Sequence, residues 1–148
     1  LYYNRNVLLD RGLRPHYYCL PILKRHSDQQ ILQEVVTSGH ARFFLGTDSA
    51  PHSRGHKQSA CGCAGIYNAP VALELCAAVF EHHNCLNNLE KFTSINGAEF
   101  YGYEPHTTTI RLIKEPWQVP DALDFGEEDI VPCGAGDVLQ WRVVAEER

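Results

Sequence analysis

The segment Phe43-Phe44-Leu45-Gly46-Thr47-Asp48-Ser49-Ala50-Pro51-His52 (FFLGTDSAPH) runs from apolar side chains into an acid, with a histidine four positions further on. A short apolar run bounded by turn residues predicts a buried strand over Phe43–Asp48. Asp48 then stands at the C-terminal end of that strand, where parallel βα folds collect their reactive groups. Gly46 is expected to let a neighbouring group come close to the backbone. The residues leave the use of Asp48 open. Asp-Ser ahead of Pro51 is good turn chemistry, while a carboxylate in this place could also hold a metal or move a proton. Pro51 keeps the backbone extended and fixes the angle at which His52 leaves the loop, although an isolated loop histidine is more often an exposed polar group than a ligand.

Working outward, His16–Pro21 is a short aromatic and apolar run stopped by proline, which predicts a second buried strand. Ser27-Asp28-Gln29-Gln30 has the form of a capping box. It is expected to open a helix with Ile31/Val35 and Leu32/Val36 on one apolar face and Gly39 as its left-handed end. Leu1–Gly12 lacks a period and reads as loop or a short helical remnant. Beyond His52 a Gly/Ser/Cys-rich loop extends to Tyr67. Asn68 is a candidate N-cap with Pro70 in the first turn, and Val71–Phe80, apolar on nearly every side, predicts a helix packed between layers. Leu86, Leu89 and Phe92 continue at helical spacing, and a short helix is expected over Asn96–Tyr101, closed by Gly102. The pattern then changes: Thr107–Ile113 and Val138–Val143 alternate as strands do, with a proline-rich, acidic connection between them.

Strands alternating with helices imply an α/β class with parallel βα units. Two such units cannot close a barrel, which takes eight strands and roughly 250 residues. The architecture therefore reads as part of something larger. The chain also begins at Leu1 and contains no methionine, so a piece of a longer polypeptide is expected.

At 148 residues and 44% hydrophobic content the chain can bury a real core. A formal charge of −5 argues against a nucleic-acid partner; Arg54, His56 and Lys57 form a small basic group expected to be solvated. No apolar run approaches the roughly 18 residues that cross a bilayer, and no signal-peptide layout is present. The cysteines at 19, 61, 63, 76, 85 and 133 are irregularly spaced, which predicts reduced thiols rather than a disulfide scaffold and a cytoplasmic setting. Cys61-Gly62-Cys63 is a weak zinc motif without a second ligand pair. Gly62 and Gly65 point to a tight loop whose backbone groups could face a ligand. His82-His83 reads as surface, and Trp117 and Trp141 as packing residues.

The words RPHYYCLPILKR (14–25), FFLGTDSAPH (43–52), CGCAGIYNAP (61–70) and the looser SINGAEFYG (94–102) follow one another in a set order and spacing. Together they resemble the C-terminal part of the bacterial, single-function dihydroorotases of the amidohydrolase superfamily. The resemblance is specific through the pairing of GTDSAPH with CGCAG, and it weakens after Gly102. It implies the last two βα units of a (β/α)8 TIM barrel over residues 1–102, with a C-terminal extension of short strands over 103–148. It also implies reversible cyclisation of N-carbamoyl-L-aspartate to L-dihydroorotate, in pyrimidine synthesis, at a site holding two zinc ions. Asp48 matches the aspartate that touches one zinc and acts as general base toward the bridging hydroxide, then carries that proton to the leaving amide nitrogen. His52 matches a histidine that holds the substrate's carboxylate and ring. Leu20 and Ala64 match positions whose backbone groups bind the ring.

The family's other metal ligands, its carboxylated lysine and its substrate-binding arginine and asparagine match nothing here, because they belong to an N-terminal portion. These 148 residues alone are therefore expected to lack activity and a tight binuclear metal site, and the intact protein is expected to be a homodimer. Two rivals remain: another cyclic amidohydrolase, and a non-catalytic barrel fragment that self-associates through open strand edges. A Cys/His zinc module is a weaker third.

Overall fold

The computed structural model describes residues 1–144. Four α-helices and four strands succeed one another: α1 (His26–Thr37), α2 (Arg54–Lys57), α3 (Ala72–His82), α4 (Asn96–Tyr101), β1 (Arg111–Gln118), β2 (Leu123–Phe125), β3 (Glu128–Ile130) and β4 (Val138–Val144). Short 3-10 turns lie between them, and a π-helical turn over Lys91–Ile95 leads into α4. Among the described residues the sheets are two antiparallel pairs, β1 with β4 and β2 with β3.

Helix α3 is the spine. Its Leu75, Cys76, Ala77, Val79 and Phe80 are all buried, as an all-round apolar helix must be. One side meets Leu8, Tyr17, Val119, Cys133 and Leu139. The other packs Val79 and Phe80 with Val36 of α1 and with Phe92. Val119, Cys133 and Leu139 belong to the extension, so that segment shares a core with the helices. Two acids of α3 fasten it further. Glu74 accepts the Val143 amide at 3.1 Å, and Glu81 accepts Trp141 Nε1 at 3.0 Å and Lys114 Nζ at 2.6 Å. Trp117 Nε1 in turn donates to the Trp141 carbonyl at 2.7 Å.

Several elements depart from their sequence expectations. Helix α1 begins at His26, and the Asp28 carboxylate accepts the Arg25 amide at 3.2 Å, so Ser27 is not the cap. Gln29 is buried and donates to the Leu1 and Tyr2 carbonyls, whereas Ile31 and Leu32 are exposed. The hydrogen-bonding need of the N-terminal segment turns α1 away from its most apolar face. Gly39, at φ +77°, does end the helix as expected, and α4 with Gly102 at φ +72° lies where the spacing put it. The first tail strand starts at Arg111, four residues later than expected, and crosses Pro116 at a bulge between Lys114 and Trp117, the place where a sheet tolerates a missing amide. The acidic connection is not mere linker, since it folds into the β2–β3 hairpin.

Neither of the two expected barrel strands is a strand here. Pro15 opens a single 3-10 turn over Pro15–Tyr17, because its fixed φ suits a first helical position. Phe43–Asp48 is irregular. Its polar backbone groups go to other partners: the Leu45 amide to the Phe92 carbonyl, the Phe43 carbonyl to Asn96 and the Thr47 carbonyl to Asn68. A strand needs a ladder neighbour, and among the described residues the single bridge in this region joins Ser49 to Ile66 in parallel. No described helix is long and apolar enough to cross a membrane.

Candidate functional site

Three segments lie side by side. The Ala50 amide donates to the Ile66 carbonyl at 3.0 Å and the Gly65 amide to the Tyr18 carbonyl at 2.9 Å. This places residues 17–20, 48–52 and 63–68 together, and with them the four residues singled out from the sequence.

Asp48 is exposed and its backbone is left-handed, with φ +44°. Aspartate tolerates that region better than most residues. The turn swings Ser49 toward α3, where Ser49 Oγ accepts the amides of Asn68 and Ala69 at 3.1 and 3.0 Å. The expected cap, Asn68, instead spends its side-chain amide on the Thr47 carbonyl at 2.8 Å. The helix start is thus capped from a distant segment, which locks Asp48 against the spine. Removing this cap by Ser49→Ala is expected to lower the stability of the full-length protein by about 0.5–2 kcal/mol. Urea denaturation reads the effect, and an unchanged midpoint would show that the hydroxyl carries no load.

His52 is half-buried, and its Nε2 lies 3.2 Å from the Ala64 carbonyl. Leu20 is 64% exposed. Among the described residues neither the Leu20 nor the Ala64 amide donates a hydrogen bond, so both are free for a ligand. Gly65 is the glycine that permits close approach. A Cβ there would lie 2.7 Å from the Ala50 Cβ and 2.9 Å from His52 Cδ2, whereas Gly46 has nothing within 4 Å. The close-approach role expected of Gly46 therefore belongs to Gly65. The Gly65 amide and carbonyl are both used internally, whereas the Ala64 amide has no partner among the described residues.

The largest correction concerns Lys57. Expected to be solvated, it is 2% exposed. A buried lysine needs partners, and its ammonium donates to the carbonyls of Tyr18 at 2.9 Å, Cys63 at 2.6 Å and Gly65 at 2.8 Å. Burial pulls its pKa below the usual lysine value, opposed by Cys63 and Cys19. Arg54, at the other end of α2, pairs with Asp129 of β3 at 2.9 Å. A sequence signal existed: Ser53 and Lys57 stand four apart and share the buried face of this one-turn helix. Both are polar, so a hydrophobic pattern could not reveal it.

Burial quiets three of the thiols. Cys19 is raised above its usual range by burial, with Asp48 adding to the effect against Lys57; burial pushes Cys76 up to about 11 and Cys133 up to about 12. None of these three is a thiolate near neutrality, as a nucleophile must be. Among the described residues no three His, Cys, Asp or Glu side chains gather as a metal site. Zinc needs three or four protein ligands, so Asp48 and its described neighbours do not by themselves fit one. His82 and His83 meet edge to face at 5.2 Å, and His83 Nε2 lies 3.2 Å from Gln33 Oε1.

No family model matches the chain. Similarity to individual proteins is extensive. A dihydroorotase of Teredinibacter turnerae is 56% identical over 143 residues, which cover 97% of this chain and 42% of that protein. A dihydroorotase of Coxiella burnetii is 55% identical over 147 residues, covering 99% of this chain and 42% of that protein. Among solved structures, dihydroorotase of Saccharomyces cerevisiae in complex with 5-fluoroorotic acid superposes with a TM-score of 0.84 at 35% identity, covering 95% of this chain and 40% of that one. Dihydroorotase from Campylobacter jejuni gives 0.83 at 30%, over 97% and 42%. The chain thus spans about two-fifths of the length of the curated relatives it matches.

Proposed function

Because this chain belongs to the dihydroorotase family, we propose that it is part of a protein that interconverts L-dihydroorotate and N-carbamoyl-L-aspartate. In the hydrolytic direction the oxygen of water bonds to a ring carbonyl carbon and the ring C–N bond breaks. Asp48 takes the proton from that oxygen and returns it to the departing nitrogen. A general base must lie within hydrogen-bond reach of its proton, and an exposed carboxylate on a pinned left-handed turn suits that task. His52 holds the substrate's carboxylate and ring, and the backbone groups of Leu20 and Ala64 bind the ring edge. The observation that carries this reading is the meeting of His52 with the Ala64 carbonyl at 3.2 Å, beside an Ala64 amide without a partner among the described residues.

Residues 1–102 then supply the closing part of a (β/α)8 barrel and 103–148 its extension, of which the last four lie outside the described residues. The two zinc ions belong to the intact protein and would draw their remaining ligands from beyond these 148 residues. Zinc supplies acidification of water when bound. The isolated chain is accordingly inactive. The intact protein works in the cytoplasm as a homodimer on this small molecule, without nucleic acid or membrane.

The test is a substrate panel on the purified full-length protein, following dihydroorotate and N-carbamoyl-L-aspartate in both directions. Turnover of this pair above other cyclic amides is expected. Preference for a different cyclic amide would replace the proposal with that of another amidohydrolase.

A further inference from the structure

We propose that Lys57 is a positioning residue that aims the Ala64 amide at the substrate ring, an inference that rests on the function proposed above. An ammonium has three donors, and Lys57 directs all of them at main-chain carbonyls, those of Tyr18, Cys63 and Gly65. Among the described residues it forms no ion pair with a carboxylate.

The geometry of the peptide unit turns these anchors into a pointing device. The Cys63–Ala64 peptide is planar and trans, so its carbonyl and its N–H point in opposite directions. Drawing the Cys63 oxygen onto Lys57 at 2.6 Å therefore sends the Ala64 N–H away from the lysine. The next peptide is fixed in the same way. The Gly65 amide is held by the Tyr18 carbonyl at 2.9 Å, which sends the Ala64 carbonyl to the far side, where His52 Nε2 waits at 3.2 Å. The Tyr18 carbonyl is itself a Lys57 acceptor. One cation thus sets both peptide planes that flank Ala64 and ties them to the segment carrying Leu20. Without the ammonium, three carbonyl dipoles would converge with their negative ends together in a buried place, a costly arrangement for unpaired polar groups.

The experiment measures binding of 5-fluoroorotate, the ring compound found with the yeast relative, to the metal-loaded full-length protein by calorimetry. Lys57→Met keeps the length and removes the donors. It is expected to weaken binding by about tenfold or more, since hydrogen bonds to charged groups are the stronger kind. Lys57→Gln, which retains amide donors, is expected to lose less. The KM for dihydroorotate should rise with kcat largely kept, as for loss of uniform binding. A comparably destabilised Val79→Ala variant, in the core cluster on the other side of α3, should bind like wild type.

Binding by Lys57→Met within about twofold of wild type would overturn the proposal, as would equal weakening by Val79→Ala, which would reduce Lys57 to a stability role. Should neither lysine variant fold, hydrogen exchange on the wild type decides. 5-Fluoroorotate should protect the Ala64 amide, and unchanged exchange there overturns the inference. Failure of the wild type itself to bind the compound or turn over dihydroorotate would remove the functional reading and this inference with it, an outcome that the wild-type measurement alone distinguishes.

Discussion

Asp48→Asn in the full-length protein is expected to cut turnover of dihydroorotate by about 10²–10⁴-fold, the usual contribution of a positioned proton carrier, while leaving the fold intact. Asparagine is the right substitute for two physical reasons. It shares aspartate's tolerance of the left-handed backbone that Asp48 adopts at φ +44°, and Asp48 is exposed, so no core contact is lost. Its amide can still occupy the space of the carboxylate but cannot accept and return a proton. Asp48→Ala would confuse the issue, since alanine adds backbone strain to the loss of function. Thermal melting within error of wild type, together with retained metal, would assign the lost rate to the carboxyl group. Rates near those of the unmodified protein would sink the proton-carrier role.

What the sequence disclosed, and what it hid, follows a physical division. Helices were legible because their signals are local. The nearly all-apolar run that became α3 and the Gly102 terminus of α4 each depend on residues within a few positions. The barrel strands were not, because a strand exists only with a neighbour. The Phe43–Asp48 run opens on three apolar residues, yet the nearest bridge among the described residues, Ser49 to Ile66, lies just beyond it, and its backbone bonds go to Asn68, Phe92 and Asn96 instead. Site residues divide in the same manner. Asp48, His52 and the glycine-rich loop were candidates from words in the chain, and the structure brings them side by side. The burial of Lys57 could not be read in this way, because its ammonium is held by carbonyls at 18, 63 and 65 that no spacing rule connects to it.

The extension was legible in part: its two longer strands were expected and pair as β1 and β4, whereas its contacts with the loops had no local signal. The Gly134 amide donates to the Tyr17 hydroxyl at 3.0 Å and the Cys133 amide to the Tyr67 carbonyl at 2.7 Å. Tyr3 donates to Asp137 at 2.8 Å, and Asp129 holds Arg54. Three of these contacts brace a segment that carries a candidate site residue or Lys57: Tyr17 is three positions before Leu20, Tyr67 three after Ala64, and Arg54 is on the turn that delivers Lys57. The tail therefore reads as a clamp on the loops. This accounts for its burial against α3, although none of its residues is a candidate for chemistry.

The second large effect is expected at Gly65. Two penalties coincide there. Its φ of +155° lies in a region that L side chains rarely adopt, at a cost of about 1–3 kcal/mol. The added methyl of Gly65→Ala would also fall 2.7 Å from the Ala50 Cβ, 2.9 Å from His52 Cδ2 and 3.0 Å from the Ala50 carbonyl oxygen. Of these only the imidazole can move readily, and overpacking of this kind costs about another 1–3 kcal/mol. Gly65→Ala should therefore destabilise the full-length protein by about 2–6 kcal/mol in urea unfolding. It should also raise the KM for dihydroorotate, because the imidazole that yields is the one held against Ala64. Gly46→Ala supplies the internal contrast. Nothing lies within 4 Å of its added methyl, and the loss of unfolded-chain freedom favours alanine by about 0.4–1 kcal/mol at a compatible backbone, so that variant should be as stable as the parent or slightly more so. If both substitutions prove equally mild, His52 is not wedged between the 48–52 and 63–68 segments, and the close approach at Gly65 is not what builds the site.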